Sequence, residues 1–161
     1  MKFILILLTC FLACESNFGF IKPLKNKEYV RLSSIVERLK QFAPIETATE
    51  WDNVGLIVQP SEDIIVEKIF VTNDLTESAL DEAIAKKVNL IISYHPPMVG
   101  MNTPYTRLKP LTRLTQENWK ERAMVKCIEN RIAVYTPHTT WDSINGGIND
   151  WILSIFGELT S

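Results

Sequence analysis

An uninterrupted apolar segment at residues 90–92, Leu-Ile-Ile, constrains the fold more than any other feature. It follows a predicted helix that starts after Thr76, a good N-cap residue, and ends near Lys86 and Lys87, where cations suit the helix dipole. The inward face of that helix is predicted to hold Leu80, Ala83 and Ile84. A short strand without polar residues is typical of burial on both faces, as in parallel sheets. The sequence therefore predicts a βαβ unit.

Another helix is predicted before this unit. Ser34 and Glu37 have capping-box spacing, and Pro44 interrupts the helical pattern. The apolar residues on one face of this helix are Ile35, Leu39 and Phe42. We therefore predict a helix that Ser34 caps and that ends before Pro44.

The remaining apolar patterns extend the same alternation of strands and helices. Further strands are predicted at 56–58, 64–72 and 132–135, a loop at 96–115, a helix at about 119–130, and a last helix carrying Trp151, Ile152, Ile155 and Phe156 that Gly157 closes. Together they predict an α/β fold in which helices flank a mostly parallel or mixed sheet. The domain is expected to occupy residues 29–161.

Residues 1–28 are predicted to be an apolar leader and a Lys-rich connector. Residues 3–13 are apolar apart from Thr9 and Cys10, and polar residues 15–17 follow, which is similar to a secretory signal. The run is shorter than a membrane-spanning helix needs. A membrane-inserting or organelle-targeting extension and an incorrectly assigned first exon are the alternatives.

The charge balance argues against direct nucleic-acid binding. Seventeen basic and nineteen acidic residues give a formal charge of −2, so membrane contact is expected only through the leader. No basic residues are interleaved with Trp51, Trp119 and Trp151, and these side chains are predicted to pack in the core.

The cysteines do not indicate a disulfide framework or a nucleophile. Cys10 and Cys14 lie in the leader, and Cys127 lies in a predicted helix, where a buried free thiol is expected. Cys127, Tyr94 and Ser93 show no spacing that would pair a nucleophile with a base.

Each of the two histidines comes just after a predicted strand. His95 follows residues 90–92, and His138 follows residues 132–135. Loops beyond the carboxyl ends of parallel strands gather at one edge of the sheet, where ligand sites usually form. We therefore expect both imidazoles to face the same crevice, and Asp142 to bring a carboxylate to it.

Three such donors could bind one divalent metal. His95, His138 and Asp142 would leave room for water, as in catalytic metal sites. The alternative is structural, with histidines that cap loops and an Asp142 that bonds backbone amides near Gly146 and Gly147. The spacing leaves both alternatives open.

Asp74 is a further candidate at this edge. It follows the strand predicted at 64–72, so its carboxylate could orient a ligand or a bound water. The alternative is a turn or helix-start residue that accepts backbone hydrogen bonds.

Seven short motifs, in this order, resemble the Nif-three-like family over roughly residues 31–157. They are Glu-Trp-Asp-Asn-Val-Gly-Leu at 50–56, Asn-Asp-Leu-Thr at 73–76, Ser-Tyr-His-Pro-Pro at 93–97, Trp-Lys-Glu-Arg at 119–122, Glu-Asn-Arg at 129–131, Pro-His-Thr at 137–139 and Gly-Ile-Asn-Asp-Trp at 147–151. The third and fourth are most similar to the eukaryotic branch. The resemblance implies the N-terminal half of a dinuclear-metal fold.

The resemblance also implies a reduced metal site. Bacterial relatives carry two adjacent histidines where this chain has Tyr94 and His95, so Tyr94 removes one ligand. Asp142 matches the family's aspartate ligand, and His138 matches a histidine of the same motif. The family has a further histidine and a bridging glutamate near its C-terminus, so the resemblance implies a truncated chain that ends before both. Binding of zinc, manganese or iron is therefore expected to be weakened or lost.

Function is implied only by the resemblance. Bacterial relatives are labelled as type-two GTP cyclohydrolases, which would make the chain at most a metal-dependent hydrolase, whereas eukaryotic relatives are associated with transcriptional co-regulator partners. The alternatives are therefore a residual metal enzyme, a non-catalytic protein-interaction module with structural histidines, and a truncated product without a stable fold. Relatives form ring-shaped homo-oligomers and are cytoplasmic or mitochondrial.

Overall fold

The computed structural model describes residues 30–97 and 114–157. The predicted leader and connector at 1–28 and most of the loop predicted at 96–115 lie outside these residues. Within the described ranges, no helix has both the length and the apolar character needed to cross a bilayer.

The described residues form six strands and five α-helices. The first half contains β1 (Val30–Arg31), α1 (Leu32–Phe42), a 3-10 helix (Ile45–Thr47), β2 (Gly55–Val58), β3 (Ile65–Val66) and β4 (Ile69–Thr72). The second half contains α2 (Glu77–Ala85), β5 (Leu90–Ser93), α3 (Trp119–Glu129), β6 (Ala133–Thr136), α4 (Thr139–Ser143), α5 (Ile148–Leu153) and a 3-10 helix (Ser154–Phe156).

The main sheet has four strands in the order β2-β6-β5-β4. β4, β5 and β6 are parallel, with Ile69 opposite Leu90 and Leu90 opposite Ala133. β2 is antiparallel to β6, and Gly55 lies opposite Thr136. The predicted α/β class with a mixed sheet is confirmed. Because β2 is reversed, its first residue lies at the edge where the other three strands end.

Helices cover both faces of this sheet. Leu90 and Ile92 pack with α1 on one face, whereas Ile91 packs with α2 and α3 on the other. Every residue of β5 and β6 is buried, which is why the apolar run at residues 90–92 is continuous. The two-sided burial confirms the predicted βαβ unit.

The start of α1 differs from the prediction. The helix begins at Leu32 rather than after Ser34, and its N-cap residue, Arg31, makes no side-chain cap. Asp63 instead accepts hydrogen bonds from the backbone N–H and the hydroxyl of Ser33, both at 2.8 Å. A carboxylate thirty positions away thus replaces the local capping box.

The strand predicted at 64–72 is two strands in different sheets. β3 pairs with β1, whereas β4 joins the main sheet. Between them the Asn89 side chain accepts from the backbone N–H groups of Glu67 and Lys68, at 3.0 and 3.2 Å, and donates to the Ile65 carbonyl. Between β3 and β4, the Asn89 side chain thus makes the hydrogen bonds that a neighbouring strand would otherwise make.

Other predictions have mixed outcomes. The hydroxyl of Thr76 accepts from the Ala79 N–H, which confirms the cap of α2. Cys127 is fully buried, as expected. The expectation that the tryptophans pack in the core is wrong for Trp51 and Trp119, which are 57% and 38% exposed. The last helix, predicted to carry Ile152, Ile155 and Phe156, is α5 followed by a 3-10 helix, and these three residues are exposed.

Candidate functional site

The two histidines lie side by side at the carboxyl edge of the sheet. Each is the second residue after its strand, β5 for His95 and β6 for His138. Since β5 and β6 are adjacent and parallel, their ends bring the imidazoles together, with ring centroids 5.4 Å apart and planes at 72°. The expected convergence of the histidines is therefore observed. Their assignment as metal ligands stays a prediction.

Tyr94 connects Asp142 to this pair. Its ring lies 4.9 Å from that of His95 and 5.5 Å from that of His138, measured between centroids. Its hydroxyl donates to Oδ1 of Asp142 at 2.6 Å. Burial, followed by the hydrogen bond and charge of Asp142, raises the pKa of Tyr94, which keeps the phenol protonated. Asp142, in the short helix α4 that sequence analysis missed, thus lies at the predicted edge with one oxygen engaged.

Asp74 contacts the other side of His95. The Nδ1–H of His95 donates to Oδ1 of Asp74 at 2.9 Å, and the side-chain amide of Asn73 donates to Oδ2 at 3.0 Å. Asp74 therefore lies at the predicted edge, and its role toward a ligand or a bound water stays a prediction. Both side chains of the pair are well exposed, at 47% and 60%, so water competes for this bond.

Asp52 is the site residue that sequence analysis missed. Its side chain is fully buried, and its Oδ1 accepts from Nδ1–H of His138 and from the Asn53 N–H, both at 2.8 Å. Its Oδ2 accepts from the backbone N–H of Thr139 at 3.1 Å and from the hydroxyl of that residue. Burial alone would raise the pKa of Asp52, but the hydrogen bonds from Thr139 and His138 outweigh it and lower the pKa.

The reversed direction of β2 explains how Asp52 reaches the histidines. It lies three residues before β2, and the Gly55–Thr136 pairing places that end of β2 beside the end of β6. Gly55 has φ of +97°, a conformation that favours glycine, and an added Cβ would come within 3.0 Å of Ile45. The Trp-Asp-Asn-Val-Gly motif at residues 51–55 indicates this turn. The motif alone does not show that Asp52 reaches His138, because that contact depends on the antiparallel direction of β2.

The donor set fits a divalent metal in its chemistry but is not assembled into a complete site. Both histidines have Nδ1 bound to a carboxylate, which leaves Nε2 for a ligand, as in many metal sites where a carboxylate orients the histidine. Two imidazoles and a carboxylate suit zinc, manganese or iron. Within residues 30–97 and 114–157, however, no three His, Cys, Asp or Glu side chains are already grouped so as to hold an ion.

Other chemically reactive groups lie elsewhere. Cys127 lies in α3 on the face that is buried in the core with α2, and burial raises the pKa of its thiol to about 12. The hydroxyl of Ser93 donates to the backbone carbonyl of His95 rather than to an imidazole. A cavity of about 310 Å³ lies at the opposite edge of the sheet, near Val88, Asn89 and Ile132. None of these features contributes to the histidine edge.

Comparison with known proteins identifies the family. The sequence profile of Duf34/NIF3 (NGG1p interacting factor 3) matches residues 30–159. The chain belongs to this family. The Drosophila melanogaster protein named NIF3-like protein 1 is 48% identical over 122 residues, which are 76% of this chain and 39% of that protein. The resemblance inferred from the seven motifs is thereby confirmed.

More distant NIF3-related proteins match the same region. A Clostridium acetobutylicum protein named GTP cyclohydrolase 1 type 2 homolog is 34% identical over 128 residues, which are 80% of this chain and 44% of that protein. The crystal structure of a Bacillus cereus protein related to NIF3 superimposes with a TM-score of 0.69 at 28% identity, covering 83% of this chain and 34% of that one. The chain thus spans less than half the length of these relatives.

Proposed function

We propose that this NIF3-family chain binds a divalent metal, zinc, manganese or iron, at the edge formed by His95, His138 and Asp142. The observation that carries the proposal is the pair of imidazoles whose centroids are 5.4 Å apart. Two rings bound to one ion at about 2 Å from nitrogen to metal have centroids at most about 6.5 Å apart, so one ion fits this separation. Asp142 and water would fill the remaining positions.

The residues around this edge have distinct parts in the proposed site. Nε2 of His95 and of His138 would hold the ion, while Asp74 and Asp52 keep the two Nδ1 atoms occupied. A bound divalent ion would supply Lewis-acid chemistry of the kind that metal-dependent hydrolases use. The relatives named GTP cyclohydrolase 1 type 2 homolog support a hydrolase ancestry for this site.

Elemental analysis tests the proposal. The full chain is stripped by mild chelation, reloaded with zinc, manganese or iron, and compared with His95→Ala and Asp142→Ala. The matched control is Asp63→Ala, which removes a carboxylate remote from both histidines. We expect stoichiometric metal in the wild type and the control and its loss in both site variants. A folded wild-type protein that retains no metal would overturn the proposal.

A second proposal concerns protein contacts. Ile155 and Phe156 are 70% and 82% exposed, and Ile152 and Leu153 beside them are also exposed. An apolar patch of this kind marks an interaction surface in many proteins, and the family description itself names an interacting factor. We propose that the patch supports self-association or partner binding, including co-regulator partners.

Sedimentation velocity tests the self-association part. Phe156→Asp should lower the sedimentation coefficient if the patch joins copies, whereas Ile128→Asp, at an exposed position of α3, should not. Equal values for wild type and Phe156→Asp would contradict the self-association. Partner binding that is unchanged in metal-free protein would favour an interaction module over an enzyme.

We also propose a cytoplasmic or mitochondrial location, which fluorescence imaging of a C-terminally tagged chain would test.

A further inference from the structure

We infer that Asp52 is a positioning residue that holds the imidazole of His138 by its Nδ1–H and so selects the tautomer whose lone pair is on Nε2. The tautomer follows from the hydrogen bonds of the folded chain alone. Only the use of Nε2 toward a metal or a proton rests on the proposed function.

The hydrogen-bond inventory of Asp52 excludes the other tautomer. A carboxylate only accepts, so the Nδ1 atom 2.8 Å from Oδ1 of Asp52 must carry a proton. Asn53 and Thr139 supply the remaining donors to the same carboxylate. The Asp52 side chain has no exposed surface, so solvent does not compete for its oxygens. In a neutral ring, the proton on Nδ1 leaves Nε2 as the basic atom.

The backbone of His138 gives Asp52 a second effect. His138 has φ of 33° and ψ of −120°, a conformation that non-glycine residues seldom adopt. Asp52 binds the side chain of His138 and the backbone N–H of the next residue, Thr139. It therefore holds the strained turn from both sides and fixes the direction in which the ring points. Strain of this kind is typically retained where a functional group must be aimed.

The second carboxylate–imidazole pair lacks this constraint. Asp74 and His95 make the same type of bond at 2.9 Å, but both side chains are substantially exposed. Solvent can therefore replace Asp74 as the partner of Nδ1. The Asp74–His95 pair is therefore an internal reference for the experiment. The tautomer of His138 is expected to depend on one buried acceptor, whereas that of His95 is not.

Asp63 provides the matched control. Like Asp52, it accepts a backbone N–H and a hydroxyl from one residue near the start of a helix, in this case Ser33. It contacts no histidine among its hydrogen-bond and ion-pair partners in the described residues. Asp63→Ala thus removes a similar capping interaction without touching the site.

The experiment is a long-range proton–nitrogen NMR correlation of the 15N-labelled full chain, free of metal, at about pH 8, where a free imidazole is neutral. The chain has only two histidines, so His95→Gln assigns both sets of signals. We expect His138 to show a protonated Nδ1 and a bare Nε2 in wild type and in Asp63→Ala. In Asp52→Ala we expect loss of this pattern toward the Nε2–H form that free histidine prefers.

Two results would overturn the inference. One is a wild-type His138 with its proton mainly on Nε2, and the other is a folded Asp52→Ala with an unchanged pattern. If Asp52→Ala does not fold, the wild-type spectrum decides alone. Because the spectra are recorded without metal, failure of the proposed metal site in elemental analysis would leave this result unaffected.

Discussion

Replacing Asp52 by alanine should cost about 3 kcal/mol of unfolding free energy. The substitution removes the acceptor of three N–H groups, those of Asn53, His138 and Thr139, and of the Thr139 hydroxyl. A buried donor left without an acceptor costs about 1–3 kcal/mol. We use about 1 kcal/mol for each N–H, the lower limit, because the hydroxyl can rotate to a new partner and His138 is 18% exposed to water.

Urea unfolding followed by tryptophan fluorescence measures this loss, since the chain has four tryptophans. With a urea dependence of about 2 kcal/mol per molar, the midpoint should fall by about 1.5 M. Asp63→Ala should shift it less, because the bonds of Asp63 with Ser33 are exposed to solvent. A shift below about 0.5 M for Asp52→Ala, or equal shifts in the two variants, would refute the claim that burial makes the Asp52 contacts strong.

Three further results are expected. Tyr94→His should raise zinc affinity in titration calorimetry by about tenfold or more, because it adds an imidazole and frees Asp142. The magnitude is a lower limit, since even residues that only hydrogen-bond to a metal ligand change affinity by that factor. Unchanged affinity would contradict the proposed site. The backbone N–H and then the hydroxyl of Ser33 hold the pKa of Asp63 below its ordinary value, so Ser33→Ala should raise that pKa in carboxyl NMR. Because the folded pKa of Asp63 is lowered, the contribution to stability is complete above the unfolded pKa and is lost as pH falls through the folded pKa. Wild type and Ser33→Ala should therefore converge in stability as pH falls. Cys127, whose pKa burial raises to about 12, should resist thiol reagents at neutral pH until urea unfolds the chain, and peptide mapping by mass spectrometry distinguishes it from the other cysteines.

Local patterns in the sequence were sufficient for the parallel part of the fold. The cap of α2 joins residues that are close together in the chain. The apolar run of β5 reflects the burial of one strand on both faces. His95 and His138 could be placed together for the same reason, because the edge at which parallel strands end is a property of the βαβ unit.

Three differences between prediction and structure involve partners distant in the chain. Ser33 is capped by Asp63, and the strand predicted at 64–72 is divided by Asn89. Asp52 was missed because the sequence of a four-residue strand does not show whether the strand is parallel or antiparallel. Site residues were expected after the strands, whereas Asp52 lies before β2, which is antiparallel. Trp51 was expected in the core, but it lies in the loop before β2 beside the His138 ring and is exposed.

Because β2 is antiparallel to β6, we expect the contact between Asp52 and His138 to form late in folding. β4 and β5 are joined by a single helix, so their pairing closes a short loop, whereas Asp52 and His138 are 86 positions apart. Closing the longer loop costs more chain entropy and generally comes later. An intermediate containing only the parallel strands would hold both imidazoles at the sheet edge, yet His138 would be free to rotate and to exchange tautomers. A substitution that weakens β2 pairing would then release the His138 ring without altering His138 or Asp52.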